Sequence, residues 1–235
     1  MNLRYALTAA ALVALAIGFW LAAGTPPDAV QGEYVRIIHV HVPSSWVAFL
    51  AFGGTLLGSA GWLITKRARF DHYAAASAEL GVFFTALSLL TGMIWGYVTW
   101  GIAWDWGDAR MSSTALMFFV YLGYLALRRA TLNPVDRARR SAILGIVAFV
   151  QVPLVYFSVV LFRTLHQTPS ITTEGSTMES STLRAMLFGL FAFTLAYAAF
   201  TTWRTRQLII EAELTATDAE HAGSAVTAPT LGGRP

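Results

Sequence analysis

Six separate runs of about twenty residues hold almost nothing but apolar side chains, and that repetition leaves few folds open. Crossing a roughly 30 Å hydrocarbon core takes about 20 apolar residues in a helix, because only a helix satisfies its backbone hydrogen bonds within one segment. The runs are Tyr5–Ala23, Pro43–Thr65, Tyr73–Trp95, Met111–Leu127, Ser141–Phe162 and Ala185–Trp203, with Glu79 the only charged residue inside any of them. The 235 residues are 56% hydrophobic and 12% charged, against about a quarter charged in an ordinary soluble domain, so lipid must solvate the outside. The expected fold class is an all-α integral membrane protein with six transmembrane helices. The expected domains are a six-helix membrane unit over 1–206 and a largely disordered cytoplasmic tail over 207–235. Arg4, the apolar run after it and Leu21-Ala22-Ala23-Gly24 also resemble a cleaved signal peptide, but the run is long for one, which favours a retained helix.

The basic residues orient the chain. Lys66, Arg67 and Arg69 fill the second connection, Arg128, Arg129, Arg137, Arg139 and Arg140 the fourth, and Arg4, Arg204 and Arg206 flank the ends. By the positive-inside rule these segments and both termini are cytoplasmic, leaving connections 24–42, 96–110 and 163–184 outside. A net charge of +3 spread over loops at membrane edges is not a nucleic-acid footprint. Without cysteine, neither disulfides nor thiolate metal sites nor thioether haem attachment arise within the chain. No phosphate-cradling Gly-x-x-x-x-Gly-Lys-Ser/Thr loop occurs, so no ATP-hydrolysing role is expected, and the absence of inverted repeats counts against a carrier. Pro153 beside Gln151 is expected to kink the fifth helix.

The chemistry concentrates on the expected outer face. Four tryptophans, Trp95, Trp100, Trp104 and Trp106, fall within twelve residues. Interfacial anchoring accounts for Trp20, Trp46, Trp62 and Trp203, but this density exceeds what anchoring needs. Indoles held together, with Gly96, Gly101 and Gly107 letting backbone approach a ligand, make an apolar shelf for a flat aromatic molecule. Asp105 and Asp108 are candidates to cap the next helix, and Arg110 to pair with an anionic group. His41, before Pro43, and His166, in Thr164-Leu165-His166-Gln167, lie at the same expected level. Two neutral imidazoles on either side of an aromatic shelf suit six-coordinate haem iron. His39 rivals His41, and spacing does not choose between them if the segment is extended. His72 and His221 face the other side and are expected as solvated surface residues. Arg36 and Arg110 are candidates for haem propionates, and Arg163 for lipid phosphate.

The order His41-Val42-Pro43, then Thr99-Trp100-Gly101, Trp104, Trp106, Asp108-Ala109-Arg110 and Tyr121-Leu122-Gly123-Tyr124, then Thr164-Leu165-His166-Gln167 resembles the CcmC family, the haem-handling membrane proteins of cytochrome c maturation system I, whose relatives share the WWD signature. The resemblance covers roughly Glu33 to Trp203. One departure falls inside the signature: the family usually runs Trp-x-Trp-Asp, whereas this chain reads Trp104-Asp105-Trp106-Gly107-Asp108, as though one residue were inserted. Asp108 keeps the Asp-Ala-Arg continuation, and Asp105 is its alternative. The resemblance implies that His41 and His166 axially ligate haem b at the periplasmic face of the bacterial inner membrane. It also implies that the tryptophan loop presents the porphyrin to the haem chaperone CcmE, with CcmD and the CcmAB ABC transporter as further partners. The handover needs no catalytic residue, so no enzyme activity is expected. Two other readings compete: a cytochrome b-like electron-transfer subunit, and a cofactor-free permease.

Overall fold

The computed structural model describes residues 3–167, 170–173 and 175–227. Helix α1 covers Leu3–Ala23, and a 3-10 turn at Glu33–Ile37 leads into α2, Ile38–Thr65. Then come α3 (Ala68–Trp100), α4 (Ala109–Ala130), α5 (Pro134–Ala148), α6 (Gln151–Leu161) and α7 (Ser180–Thr227). A two-residue hairpin, β1 (Ile171–Thr172) with β2 (Gly175–Ser176), precedes α7. Helices α5 and α6 share one apolar span, so six spans are long and apolar enough to cross a membrane.

Helices α2 and α3 form the central antiparallel pair. Lys66 takes a left-handed φ of 57° and its N–H closes on the Trp62 carbonyl, turning the chain within two residues. Their contact is tight because small residues meet: a Cβ on Gly58 would lie 2.9 Å from both the Cβ and the N of Ala74. Such small-residue contacts let membrane helices gain packing where lipid supplies no hydrophobic drive. Around this pair α5 and α7 lie against α2, α4 and α7 against α3, and α1 against α7. Helix α1 is joined to α7 by the Trp203 Nε1 donation to Thr8 Oγ1 at 3.0 Å and by the edge-on Tyr5–Trp203 pair.

The core runs through Val47, Phe52, Phe84, Met117, Tyr121 and Tyr124, with Phe52 stacked on Tyr121 at 3.5 Å between centroids. Tyr121 and Tyr124, singled out by sequence as part of a motif, are thus buried packing residues. At the arginine-rich end, Arg128 makes two hydrogen bonds to Asp71, at 2.5 and 2.9 Å, and the pair is almost wholly buried. Glu79, the one acid inside a predicted span, receives Arg204 in a second two-bond pair.

The fifth span is broken rather than merely bent. Helix α5 stops at Ala148 and α6 starts at Gln151. Pro153 has no N–H to offer the Phe149 carbonyl, which accepts instead from Val152 N at 3.0 Å. Several boundaries differ from the sequence reading. Residues 96–100 belong to α3, and Ala109 and Arg110 to α4, so the tryptophan loop proper is 101–108. Helix α7 runs far beyond residue 206, to Thr227; 228–235 lie outside the described residues.

Candidate functional site

Three segments converge at the end of the bundle opposite the arginine cluster: the first turns of α2, the α3–α4 connection, and the stretch after α6. His41 sits in the first turn of α2. Its Nδ1 lies 3.0 Å from the Ser88 carbonyl and 3.2 Å from Thr91 Oγ1, both on α3. That arrangement assigns the ring proton to Nδ1 and leaves Nε2, which no described residue hydrogen-bonds, with a free lone pair. The ring fits because position 92 is glycine: a Cβ there would lie 2.9 Å from His41 Cε1. Trp95 packs edge-on against His41 at 5.8 Å and is itself fixed by its Nε1 donation to Gln31 Oε1 at 2.6 Å.

His39 answers differently. Because the segment is helical rather than extended, two residues turn the side chain about 200° around the axis. His39 is buried against Thr25, with Nε2 3.5 Å from Thr25 Oγ1. It faces away from the α3 contacts that hold His41.

Helix α3 ends at Trp100, where Gly101 adopts φ 76°, a left-handed cap that glycine takes without strain. Trp100 lies edge-on to His166 at 5.0 Å. Each histidine therefore has its own indole, Trp95 for His41 and Trp100 for His166. Trp104 and Trp106 form an edge-on pair at 5.0 Å. Trp106 is 72% exposed, whereas the Trp104 Nε1–H is buried with no acceptor among the described residues.

Asp108 is the residue that assembles the site. It caps α4, its Oδ1 accepting from Met111 N at 2.9 Å. Its Oδ2 accepts from Thr164 Oγ1 at 2.6 Å and Leu165 N at 2.7 Å, and His166 Nδ1 lies 3.5 Å from Oδ1. One carboxylate thus ties the tryptophan loop to the His166 segment, 56 residues on. Burial alone pushes this carboxyl up, but the bonds from Thr164, Met111 and Leu165, with His166 alongside, outweigh it and hold the group below its ordinary range. At His166, burial foremost and Arg110 in addition outweigh the pull of Asp108 and hold the ring below its ordinary value of 6.5. The ring is neutral at neutral pH, with Nδ1 turned to a carboxylate and no described residue hydrogen-bonding Nε2. Carboxylate-backed imidazoles in this orientation are the usual form of a metal-ligating histidine. Among the described residues the Asp105 carboxylate accepts only from Gly107 N, at 2.8 Å within its own turn.

The remaining candidates divide. Arg110 reaches the Tyr156 carbonyl of α6 at 3.4 Å and stays beside the histidines. Arg36 is already engaged: Nη2 and Nε donate to the Thr25 carbonyl at 2.7 and 3.2 Å, and Nη1 pairs with Glu33. It pins the 3-10 turn to the end of α1 and can meet an anion only by exchanging those bonds. His72 corrects the sequence reading, for it is 9% exposed and packed beside the Asp71–Arg128 pair rather than solvated. Sequence reasoning also missed Ser88 and Thr91, which orient His41 from the middle of an apolar helix, where nothing marks them out. Thr164, by contrast, sat within a motif already noted.

Among the described residues no cluster of three or more His, Cys, Asp or Glu side chains can hold a bare metal ion. Two imidazoles suffice only where the metal brings its own equatorial ligands, as a porphyrin does. The orphaned Trp104 N–H and the Arg110 guanidinium supply donors of the kind that carboxylate side groups accept from.

A family model described as Heme exporter protein C matches residues 1–220. A protein named Heme exporter protein C from Bradyrhizobium diazoefficiens is 40% identical over 192 residues, covering 81% of this chain and 73% of the relative. The protein of the same name from Haemophilus influenzae is 35% identical over 202 residues, covering 85% and 82%. A cytochrome c biosynthesis ccmC-like mitochondrial protein from Marchantia polymorpha is 33% identical over 198 residues, covering 84% and 82%.

Proposed function

Because the chain belongs to the Heme exporter protein C family, we propose that it handles haem for cytochrome c maturation, holding haem b between His41 and His166 and delivering it to the chaperone CcmE. The observation that carries this reading is the matched pair of imidazoles. Each has Nδ1 turned to an oxygen acceptor of the chain, Nε2 left without a hydrogen bond, and an indole against its edge. In this reading haem is cargo and supplies the iron; the chain supplies two neutral ring nitrogens, apolar surface and donors for the propionates.

The protein residues divide the work by position. Ser88, Thr91 and the space at Gly92 set the His41 ring on rigid helices, whereas His166 lies in a connection held chiefly through Asp108. Trp100, Trp104 and Trp106 form the shelf, with Trp106 open to an approaching partner. Arg110 and Trp104 Nε1 face the propionates, and Arg36 serves one only if it leaves Thr25. The arginine-rich end faces the cytoplasm and the histidine end the periplasm, as the charge asymmetry directs. Both termini are then cytoplasmic in a bacterial inner membrane, and CcmE, CcmD and CcmAB are the partners of the handover. No step requires an acid, base or nucleophile, so the role is transport and not catalysis.

The test is the absorption spectrum of detergent-purified protein, oxidised and reduced, for the original chain, His41→Ala, His166→Ala and, as control, His221→Ala. The reading predicts a low-spin haem b spectrum weakened in the first two variants and kept in the third. Absence of haem from the original chain after haem-replete expression would favour the cofactor-free permease instead.

A further inference from the structure

On α3, Ser88, Thr91, Gly92 and Trp95 fall at positions i, i+3, i+4 and i+7, so they form one stripe along the helix, and His41 lies against it. The first three hold the ring without moving parts: a backbone carbonyl, a hydroxyl tied back to the Leu87 carbonyl at 2.7 Å, and the space left by a glycine. Trp95 differs, because an indole turns about two side-chain torsions. Its fix comes from outside α3, through the Nε1 donation to Gln31 Oε1 at 2.6 Å. An interfacial tryptophan ordinarily gives that N–H to water or headgroups; this one gives it to a residue 64 positions earlier. We propose that Gln31 is a positioning residue for the cargo: by holding the Trp95 indole against the edge of His41, it sets how firmly iron is held on that side of the site. The inference rests on His41 as an iron ligand, the reading given above.

The connection that carries Gln31 is built to keep it still. Asp28 Oδ1 accepts from Val30 N and Gln31 N, both at 2.8 Å, a turn that fixes the backbone of Gln31 itself. Asp28 and Gly32 exchange two backbone hydrogen bonds, at 3.1 and 2.9 Å, closing the loop where Gly32 takes φ 58°, a conformation glycine adopts without strain. At its base Arg36 donates to the Thr25 carbonyl and joins the two ends of the connection. Among the described residues, the bond from Trp95 to Gln31 is the only hydrogen bond between this connection and α3. The loop therefore meets the site already ordered, and its hold on α3 passes through one amide oxygen. Without that acceptor the half-buried indole N–H turns toward water. His41 is then held by Ser88 and Thr91 alone, with one edge of its ring uncovered.

The test is the rate at which the full-length, haem-loaded protein in detergent gives up haem to excess apomyoglobin. It is measured for the original chain, Q31L, Q31E, W95F and Q31L/W95F, beside the Tm of each haem-free protein. Q31L, which offers no acceptor, should lose haem roughly fivefold faster, the weight of one neutral hydrogen bond. Q31E keeps an oxygen at the same reach and should stay within about a factor of two of the original. W95F has no N–H to satisfy, so adding Q31L to it should change nothing further. A Q31L effect that persists in the W95F background, or that comes with a lowered Tm and is not rescued by Q31E, makes Gln31 a stabiliser of the loop and overturns the proposal. So does a Q31L rate equal to the original, which leaves haem binding at His41 standing. An original chain that takes up no haem removes that binding and the role of Gln31 together.

Discussion

Asp108→Asn changes one atom in shape and everything in hydrogen bonding. The carboxylate accepts from Met111 N, Thr164 Oγ1 and Leu165 N, all within 2.9 Å, while facing His166. An asparagine amide has one acceptor oxygen. Turned toward Met111 it keeps the cap but sets its NH2 against the Leu165 N–H; turned the other way it keeps the tether and opposes the Met111 N–H. Either way one charge-assisted bond, about 1.5–3 kcal/mol, is lost and a buried donor is left opposite a donor. The first orientation preserves the helix start, so the tether gives way, at about 3 kcal/mol, or roughly a hundredfold in the population of the detached 162–167 segment. Amide hydrogen exchange on haem-free protein reads this directly: Leu165 should exchange roughly a hundredfold faster, with the α2–α3 core unchanged, because Asp108 lies outside the spans. Haem retention should fall with it. Asp105→Asn, whose oxygen serves only Gly107 N among the described residues, should change neither. Leu165 exchange within a factor of about three of the original would refute the argument that this carboxylate holds the His166 segment.

Gly92→Ala should lower haem retention without touching either histidine, because its Cβ would lie 2.9 Å from His41 Cε1 and push the ring off Ser88 and Thr91. A helical Gly→Ala change gains up to about 1 kcal/mol in propensity, so an absorbance loss at undiminished Tm is the expected pattern. Trp104→Phe removes a buried donor that has no partner among the described residues; Tm should hold or rise while haem retention falls, and equal retention would remove Trp104 from the propionate contacts. The His166 ring is held below its ordinary 6.5 chiefly by burial, so the docked segment binds fewer protons than the detached one. Docking is therefore complete above 6.5 and weakens as pH falls through the folded value, which hydrogen exchange of Leu165 against pH should show. In Asp108→Asn the neighbouring carboxylate no longer raises the docked His166 value, so the weakening should begin at the same pH but continue to still lower pH.

The six spans were legible because the hydrocarbon thickness imposes a length that composition alone reveals. Their ends were not, since helices continue past the apolar stretch wherever polar flanks find partners. Asp71 and Arg128 lie outside the predicted runs yet are buried as a pair, and that pairing lets α3 start at Ala68 rather than Tyr73. His72 was misread for the same reason: a histidine beside charged residues looks solvated until those charges are seen to bury one another. At the site, it is Asp108 and not Asp105 that caps α4 and holds the Thr164–Leu165 stretch. The rest depended on contacts across long separations. Nothing in the one-dimensional order says that Ser88 and Thr91 orient His41, or that Arg36 is spent on the Thr25 carbonyl.

The gap between α5 and α6 gives the bundle two mechanical halves. Across Phe149 and Val150 the backbone bonds reach back three residues, and the regular four-residue ladder is interrupted. Stiffness along a helix depends on that ladder, so bending at the middle of the fifth span is not carried into α5, which packs on α2 and α4. The part beyond the gap, α6, rests on α4, receives Arg110 at Tyr156 and leads directly to His166. A partner that pulls on the His166 segment therefore works against one short lever of eleven residues, while His41, on the opposite rim, stays fixed to the stiff α2–α3 pair.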